Sequence, residues 1–396
     1  MSRGTRTLGS LALFLSPAFL GAQPLPATKV DYEAIAQKLV NQCAAVREGE
    51  LVFINGGLKN AELLENIAVN VRKAGGHALV TVGSDRLTRR LWTDVPLKYD
   101  AQSREPWARF AGLFSAGIYV SYNEDEGLLA DIPAERMMAS ANAQAVVDEV
   151  LRKNNVRAVY LGNGIYPTTQ LAERYGLTKD ELAQIFWDSV NIDYSQLQKT
   201  CESVKGVFAG GKEVRITNPN GTDLRFRIEG RPVFVSDGVI TPDDLKKGYA
   251  ACQVYLPAGE VFLAPVPGTA EGKVVFDRDF LQGQEITALT MVFKGGKLVS
   301  MSGKSGIERF KALYDAAGPG KEDFALVDIG VNPRLGQGAG GRILNYVRAG
   351  MITVGIGNNA WAGGDNNTQF SYYSYLPGST LSVDGKALVD TGRLLR

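Results

Sequence analysis

The sequence predicts an α/β protein: an open, doubly wound N-terminal domain followed by a β-rich α+β domain. Three observations predict this. Strand–helix–strand spacing recurs between residues 31 and about 205, which implies a parallel sheet. The pattern then shifts to alternating runs joined by turn dipeptides, as in 214-VRITNPNGTDLRFRIEG-230 around Asn220-Gly221. The glycines, 45 in 396 residues and many in the last third, fit tight turns between strands.

The elements follow in order. Residues 31–40, DYEAIAQKLV, place apolar side chains at helical spacing. The short run 51-LVFI-54 is wholly apolar, as a strand buried on both faces requires, and 55-NGG-57 bounds it. Residues 61–74 return to helical periodicity and stop at Gly75-Gly76, and 77-HALVTV-82 is the next strand. The unit repeats as strand 116-AGIYVSY-122, helix 133–153 and strand 156-VRAVYL-161. Thr178 with Glu181 forms a capping box that opens a further helix. Beyond the composition shift come strands 288-ALTMVF-293 and 297-KLVSMS-302, a helix over about 305–316, strands 324-FALVDIG-330 and 351-MITVGIG-357, and a terminal hairpin within 380–392. These assignments divide the chain into an α/β domain, residues 30–205, and a β-rich domain, residues 206–396.

Residues 1–22 read as an export signal. Arg3 and Arg6 precede the apolar run 8-LGSLALFLSPAFL-20, and Gly21-Ala22 is a small-residue cleavage zone. The expected location is therefore exported, periplasmic or secreted, with no membrane span once the signal is removed. Pro17 and the short span argue against a transmembrane helix. A net charge of +1 gives no electrostatic footprint for nucleic acid. Cys43, Cys201 and Cys252 are odd in number and scattered, which points to buried thiols with at most one bridge. No CxxC pair is present, so a thiolate zinc site is not expected. GxSxG and P-loop motifs are absent, and the Gly-rich run 336-GQGAGG-341 lacks the acidic partner of a dinucleotide fingerprint.

One acid stands out. In 256-LPAGEVFLAP-265, Glu260 follows a Pro-Ala-Gly turn and heads a Val-Phe-Leu run. A carboxylate buried at the head of a strand is costly unless something pairs with it. That segment, with 48-EGELVFINGG-57, 217-TNPNGTDLRFRIEGR-231, 329-IGVNP-333 and 355-GIGNN-359, resembles the M29 family of metallo-aminopeptidases, of the aminopeptidase T and S type. The resemblance covers nearly the whole mature chain. It implies an α/β domain, a β-rich domain with the active site, a homodimer, and peptide cleavage by two divalent metals. It also implies a ligand set of two glutamates, two histidines and an aspartate, with a tyrosine assisting.

Carried over residue by residue, that set is mostly replaced. Glu260 matches the first glutamate, and Leu326 stands at the second. Asp328, two residues along, shares the face of Leu326 in a strand and could partly substitute. Thr353 stands at the first histidine, Ala360 near the assisting tyrosine, and Ser371 and Tyr373 at the last two ligands. The chain has a single histidine, His77, at a strand start in the other domain, so one chain cannot supply a two-histidine site.

What remains is oxygen chemistry. Glu260, Asp328 and Asp365 are the candidate ligands of a divalent metal that accepts oxygen donors, such as magnesium, calcium or manganese. For Asp365 the alternative is turn chemistry within 363-GGDNN-367, and for Asp328 a strand-edge or capped aspartate. Thr353, Trp361, Ser371, Tyr372 and Tyr373 are candidate substrate-binding residues, the aromatic ones as a pocket floor or as ordinary strand packing. Two functions follow. The chain either binds a peptide or small molecule, or serves as a scaffold, with its peptidase site lost, or it is an aminopeptidase or related amide hydrolase remodelled around Glu260 as the catalytic residue.

Overall fold

The computed structural model describes residues 30–336 and 341–395. The expected export segment and most of the Gly-rich run 336–341 lie outside the described residues. A five-stranded parallel sheet runs in the order His77–Gly83, Leu51–Gly57, Ala116–Val120, Arg157–Leu161, Gln253–Leu256. The order reverses at Leu51–Gly57, so the sheet is doubly wound, as expected. Val52, Ile54, Ile118, Val159 and Leu161 are fully or almost fully buried, which is why these strands read as apolar runs. The first strand extends through 55-NGG-57, beyond the apolar run, because Asn55 and both glycines continue the ladder to Thr81, Val82 and Gly83.

The longest helices of the N-terminal half are Ala61–Lys73, Ala134–Lys153, Lys179–Val190 and Tyr194–Gly210. The capping box forms: Thr178 Oγ1 accepts the Glu181 N–H at 3.2 Å, and Glu181 Oε2 accepts the Thr178 N–H at 2.7 Å. Thr178→Ala is expected to lower stability by ~1 kcal/mol, read as a shift in the urea midpoint. An unchanged midpoint would show that packing alone holds that helix end.

The division expected at residue 205 is crossed twice. Helix Tyr194–Gly210 runs straight through it, and the fifth parallel strand, Gln253–Leu256, comes from beyond it. The physical reason is edge pairing. Without Gln253–Leu256 the strand Arg157–Leu161 would present unpaired backbone groups. Tyr119, Tyr160 and Tyr255 sit at paired positions on three neighbouring strands. Their rings stack, with centroids 5.0 and 5.2 Å apart and planes within 13° and 12°.

The remaining strands build two antiparallel sheets. The larger runs Lys297–Ser302, Gln284–Lys294, Glu271–Leu281, Thr222–Arg227, Glu213–Asn218, Thr380–Val383, Lys386–Asp390, Arg393–Leu394. The expected hairpin at Asn220-Gly221 is present, with Gly221 at φ +100° where a side chain would be strained. The smaller sheet runs Ser371–Tyr375, Ile352–Gly357, Phe324–Gly330, Glu260–Leu263, Phe234–Ser236. Its three central strands are buried along their whole length. One main hydrophobic cluster spans both halves, from Ile35 to Val389. Cys43, Cys201 and Cys252 are buried and unpaired. Among the described residues, no helix is long and apolar enough to cross a membrane.

Candidate functional site

The smaller antiparallel sheet positions the site. Its register sets Phe234, Phe262, Asp328, Thr353 and Tyr375 in one row across five strands. Leu326, Gly355 and Tyr373 form the next row, and Ser236, Glu260 and Gly330 the row on the other side. Directly opposed residues share a face. Glu260 and Asp328 are therefore diagonal neighbours, a relation that puts such residues about 7–8 Å apart. Thr353 lies straight across from Asp328 on the adjoining strand.

The turn before Glu260 is fixed by close backbone approach. Gly259 adopts φ +125°, and a Cβ there would lie 2.9 Å from the backbone nitrogen of Asn332. Asn332 donates from Nδ2 to the carbonyls of Ala258 at 2.7 Å and Ser189 at 3.2 Å. Its Oδ1 accepts the Arg334 N–H at 3.0 Å. Glu260 itself caps no backbone group. Its Oε1 accepts from Asn163 Nδ2 at 3.0 Å. Asn163 follows the parallel strand Arg157–Leu161 and sits at φ +38°, a conformation asparagine tolerates. Its carbonyl is held by Asn345 Nδ2 at 2.6 Å. The site thus joins the end of the parallel sheet to the antiparallel one.

Between them lies an open pocket of about 250 Å³. Glu260 and Asp328 reach it from the sheet, Asn163 from the parallel domain. Tyr255, Phe262, Leu326, Tyr346, Trp361 and Tyr373 complete its walls. Trp361 packs at 5.1 Å on Phe262, 5.9 Å on Tyr255 and 5.9 Å on Tyr373. Tyr373 reaches the cavity because its partner is Gly355, where a Cβ would lie 2.2 Å from the tyrosine ring. The Trp361 indole N–H donates to the Tyr373 hydroxyl at 3.0 Å, and that hydroxyl donates to the Asn358 carbonyl.

Glu260 is 5% exposed and Asp328 3% exposed, so both carboxyls lose most of their hydration. Burial pushes the Glu260 carboxyl up to about 7, against the opposing pull of the Asn163 amide. Burial first, and the neighbouring Glu260 charge second, push Asp328 well above the usual carboxylate range. The Tyr255, Tyr346 and Tyr373 phenols are raised by burial as well. Asp328 Oδ1 and Thr353 Oγ1 are buried with no hydrogen-bond partner. In a folded protein such orphaned acceptors are uncommon and mark a place where polar chemistry is unfinished.

Of the residues singled out on sequence, four line this cavity: Glu260, Asp328, Trp361 and Tyr373. Thr353 lies beside Asp328 on the sheet, buried and outside the lining. Three others lie elsewhere. Asp365 is exposed on the loop after Trp361 and does not line the cavity. Asn366 pins that loop, its N–H to Asn359 Oδ1 at 2.9 Å and its Nδ2 to the Gly320 carbonyl at 2.7 Å, leaving Asp365 to water. Ser371 shares the face of Tyr373 but sits exposed at the strand start. Tyr372 points to the opposite face, where it packs on Phe310 with centroids 4.3 Å apart and planes tilted by 37°, and donates to Asp279. Strand alternation separates it from its neighbour Tyr373. Asp328 is not at an edge, since its strand is the middle one of five, and the Ile329 backbone N–H hydrogen-bonds to its carboxyl. Asn163, Tyr255 and Tyr346 were missed, and only the strand-end 162-GNG-164 carried a usable signal.

A two-metal site does not fit these residues. The cavity holds two carboxyls and no nitrogen donor other than an amide. His77 is exposed at the start of the outermost parallel strand, its Nδ1 3.2 Å from Arg72 Nη1. Among the described residues, no group of three or more His, Cys, Asp or Glu side chains could hold a metal ion. The oxygen-ligand trio expected on sequence does not assemble, because Asp365 lies elsewhere.

Comparison with known proteins agrees with the fold. Wild-type AmpT from Thermus thermophilus matches over 92% of this chain and 99% of its own, with a TM-score of 0.71 and 18% identity. The 2,5-dihydroxypyridine dioxygenase from Pseudomonas putida KT2440 matches over 93% of this chain and 98% of its own, with a TM-score of 0.57 and 14% identity. At those identities the likeness is one of fold. No curated protein matches the sequence. A sequence profile described as thermophilic metalloprotease (M29) matches residues 28–320, which include Glu260 and stop short of Asp328. The chain belongs to the M29 thermophilic metalloprotease family.

Proposed function

We propose that this protein is an exported M29 homologue that binds a small molecule in the Glu260–Asp328 cavity and has lost metal-dependent peptide cleavage. The observation that supports it is the donor set. Two buried carboxyls face an aromatic chamber of about 250 Å³ without a histidine or a third acid beside them. A chamber of that size suits a ligand smaller than a drug-like molecule. On the family resemblance, Leu326, Thr353 and Tyr373 stand where liganding side chains would be, with apolar, hydroxyl and aromatic groups instead.

A second reading has one observation in its favour. A carboxyl pushed up to about 7 is in the range useful to a general base, and Glu260 has that property. The two readings separate by hydrolysis of amino-acid anilides with added manganese, cobalt, zinc or magnesium. The binding reading expects no turnover that Glu260→Ala removes, and no stoichiometric divalent ion in the purified protein. Metal-dependent turnover abolished by Glu260→Ala would overturn it in favour of a remodelled hydrolase.

A further inference from the structure

We infer that the helical strip over residues 85–113 is a docking face for an anionic lipid surface, on which the protein lies without crossing it. The inference is independent of what the cavity holds. It begins with a helix whose apolar side faces outward. A surface helix ordinarily buries its apolar stripe and leaves its polar side to water. Helix Asp85–Thr93 buries none of its residues. Leu87 and Leu91, one turn apart on one face, are exposed. Arg89 turns inward instead, to Asp131 at 2.7 Å and the Leu128 carbonyl at 3.0 Å. The anchoring continues along helix Ala134–Lys153. Arg136 donates to the Trp92 carbonyl and to Asp100, each at 2.6 Å. Arg104 donates to Ser140 at 2.8 Å, and Ala108 and Ala111 pack with Val147. The strip therefore follows a helix of 20 residues, about 30 Å long. Between its anchors it leaves Leu87, Leu91, Leu97, Tyr99, Trp107 and Leu113 in water, each 46–64% exposed. Large apolar side chains gathered in this way mark an interaction surface, whereas single scattered ones do not.

Charge selects what covers the strip. Arg86, Arg90, Lys98 and Arg109 are exposed on it, against the exposed acids Asp94 and Glu105. Asp94 is already taken by Arg90 at 2.6 Å. Arg86 and Arg109 are unpaired among the described residues. A two-fold dimer through this face would set a cationic patch against its own copy. A layer of anionic headgroups complements it instead, and each cation held near such a surface adds to the attraction. The leucines supply the part that enters the boundary of the acyl chains. Trp107 and Tyr99 have an apolar body and a polar tip, which suits the same boundary.

The test is co-sedimentation of the full-length protein with vesicles of phosphatidylcholine, alone or mixed with phosphatidylglycerol, at low salt. The expected result is partition into the mixed vesicles about tenfold or more stronger than into the neutral ones. Leu87→Ser combined with Leu91→Ser should weaken that partition by about tenfold or more. Arg86→Glu combined with Lys98→Glu should remove the preference for phosphatidylglycerol. Lipids brominated in the acyl chain should quench a tryptophan signal that Trp107→Phe deletes. All five side chains are exposed, so the fold should persist, as near-ultraviolet circular dichroism checks. Equal partition into both vesicle types overturns the inference, as does no partition into either. Partition unmoved by the leucine pair also overturns it, because another segment, such as the apolar run 8–20, would then make the contact. Self-association lost in the leucine pair, without vesicle binding, overturns it in favour of a second copy on this face.

Discussion

Raising the pH from about 4 to about 8 is expected to destabilise the native protein through the buried Glu260–Asp328 pair, on the order of 3 kcal/mol for a carboxyl raised from 4.5 to about 7. The sign follows from where the proton is held. The folded carboxyl titrates at about 7 and an unfolded one near 4.5, so between those values the native state keeps a proton that the unfolded state releases. Stability is fully present below the unfolded value and is lost as pH rises through the folded one. Asp328, raised in the same direction, adds to the decline from about 3.8 upward. Surface acids such as Glu33 and Asp131, each held at about 2 by ion pairing, act in the opposite sense. The clean measurement is therefore a difference. Wild type and Glu260→Gln are compared by urea unfolding at several pH values. The variant keeps an acceptor for Asn163 and has no charge to bury. It should equal wild type near pH 4 and exceed it by roughly 3 kcal/mol near pH 8. Parallel pH profiles would show that Glu260 is ionised in the fold without penalty.

Asn332→Ala is expected to destabilise the protein by roughly 4 kcal/mol, the largest effect of any single polar truncation near the site. Asn332 is fully buried and serves three backbone groups at once: the Ala258 and Ser189 carbonyls and the Arg334 N–H. Alanine would strand all three, and each buried unpaired group costs about 1–3 kcal/mol. Ser189 lies in helix Lys179–Val190 and Ala258 in the turn before Glu260, so the side chain also ties the parallel half to the cavity. A urea midpoint shifted by an amount equivalent to less than about 1 kcal/mol would show that water replaces the amide at this position.

The fold was legible wherever a strand is buried on both faces. Phe324–Gly330 is legible to the residue, because every position in it is buried and the run is apolar apart from Asp328. Gln253–Leu256 was not read. It is four residues long, and its membership of the parallel sheet is fixed by Arg157–Leu161, almost a hundred positions earlier. Glu260 was legible because a turn and an apolar run frame it. Asp328 was legible through its spacing from Leu326. Its place in a central strand, opposite Thr353, depends on pairing that sequence spacing does not encode. Tyr346 and Asn163 reach the cavity from loops held by tertiary hydrogen bonds, so no local pattern marks them. Tyr372 and Tyr373 are adjacent letters, and only the direction of the pleat tells which of them faces the carboxyls.

The passage of the chain from Leu256 to Glu260 has a consequence for how such a molecule can be cut and rejoined. Within four residues it leaves the outer strand of one sheet and enters the interior of another. A single recombination point at residues 205–212 would separate Tyr255 from the Tyr119–Tyr160 stack and leave one sheet a strand short. Exchange of the front half with a relative therefore needs two junctions, the second falling on the Pro-Ala-Gly turn itself. A point substitution in the cavity leaves both sheets intact, whereas an exchanged module must respect both junctions.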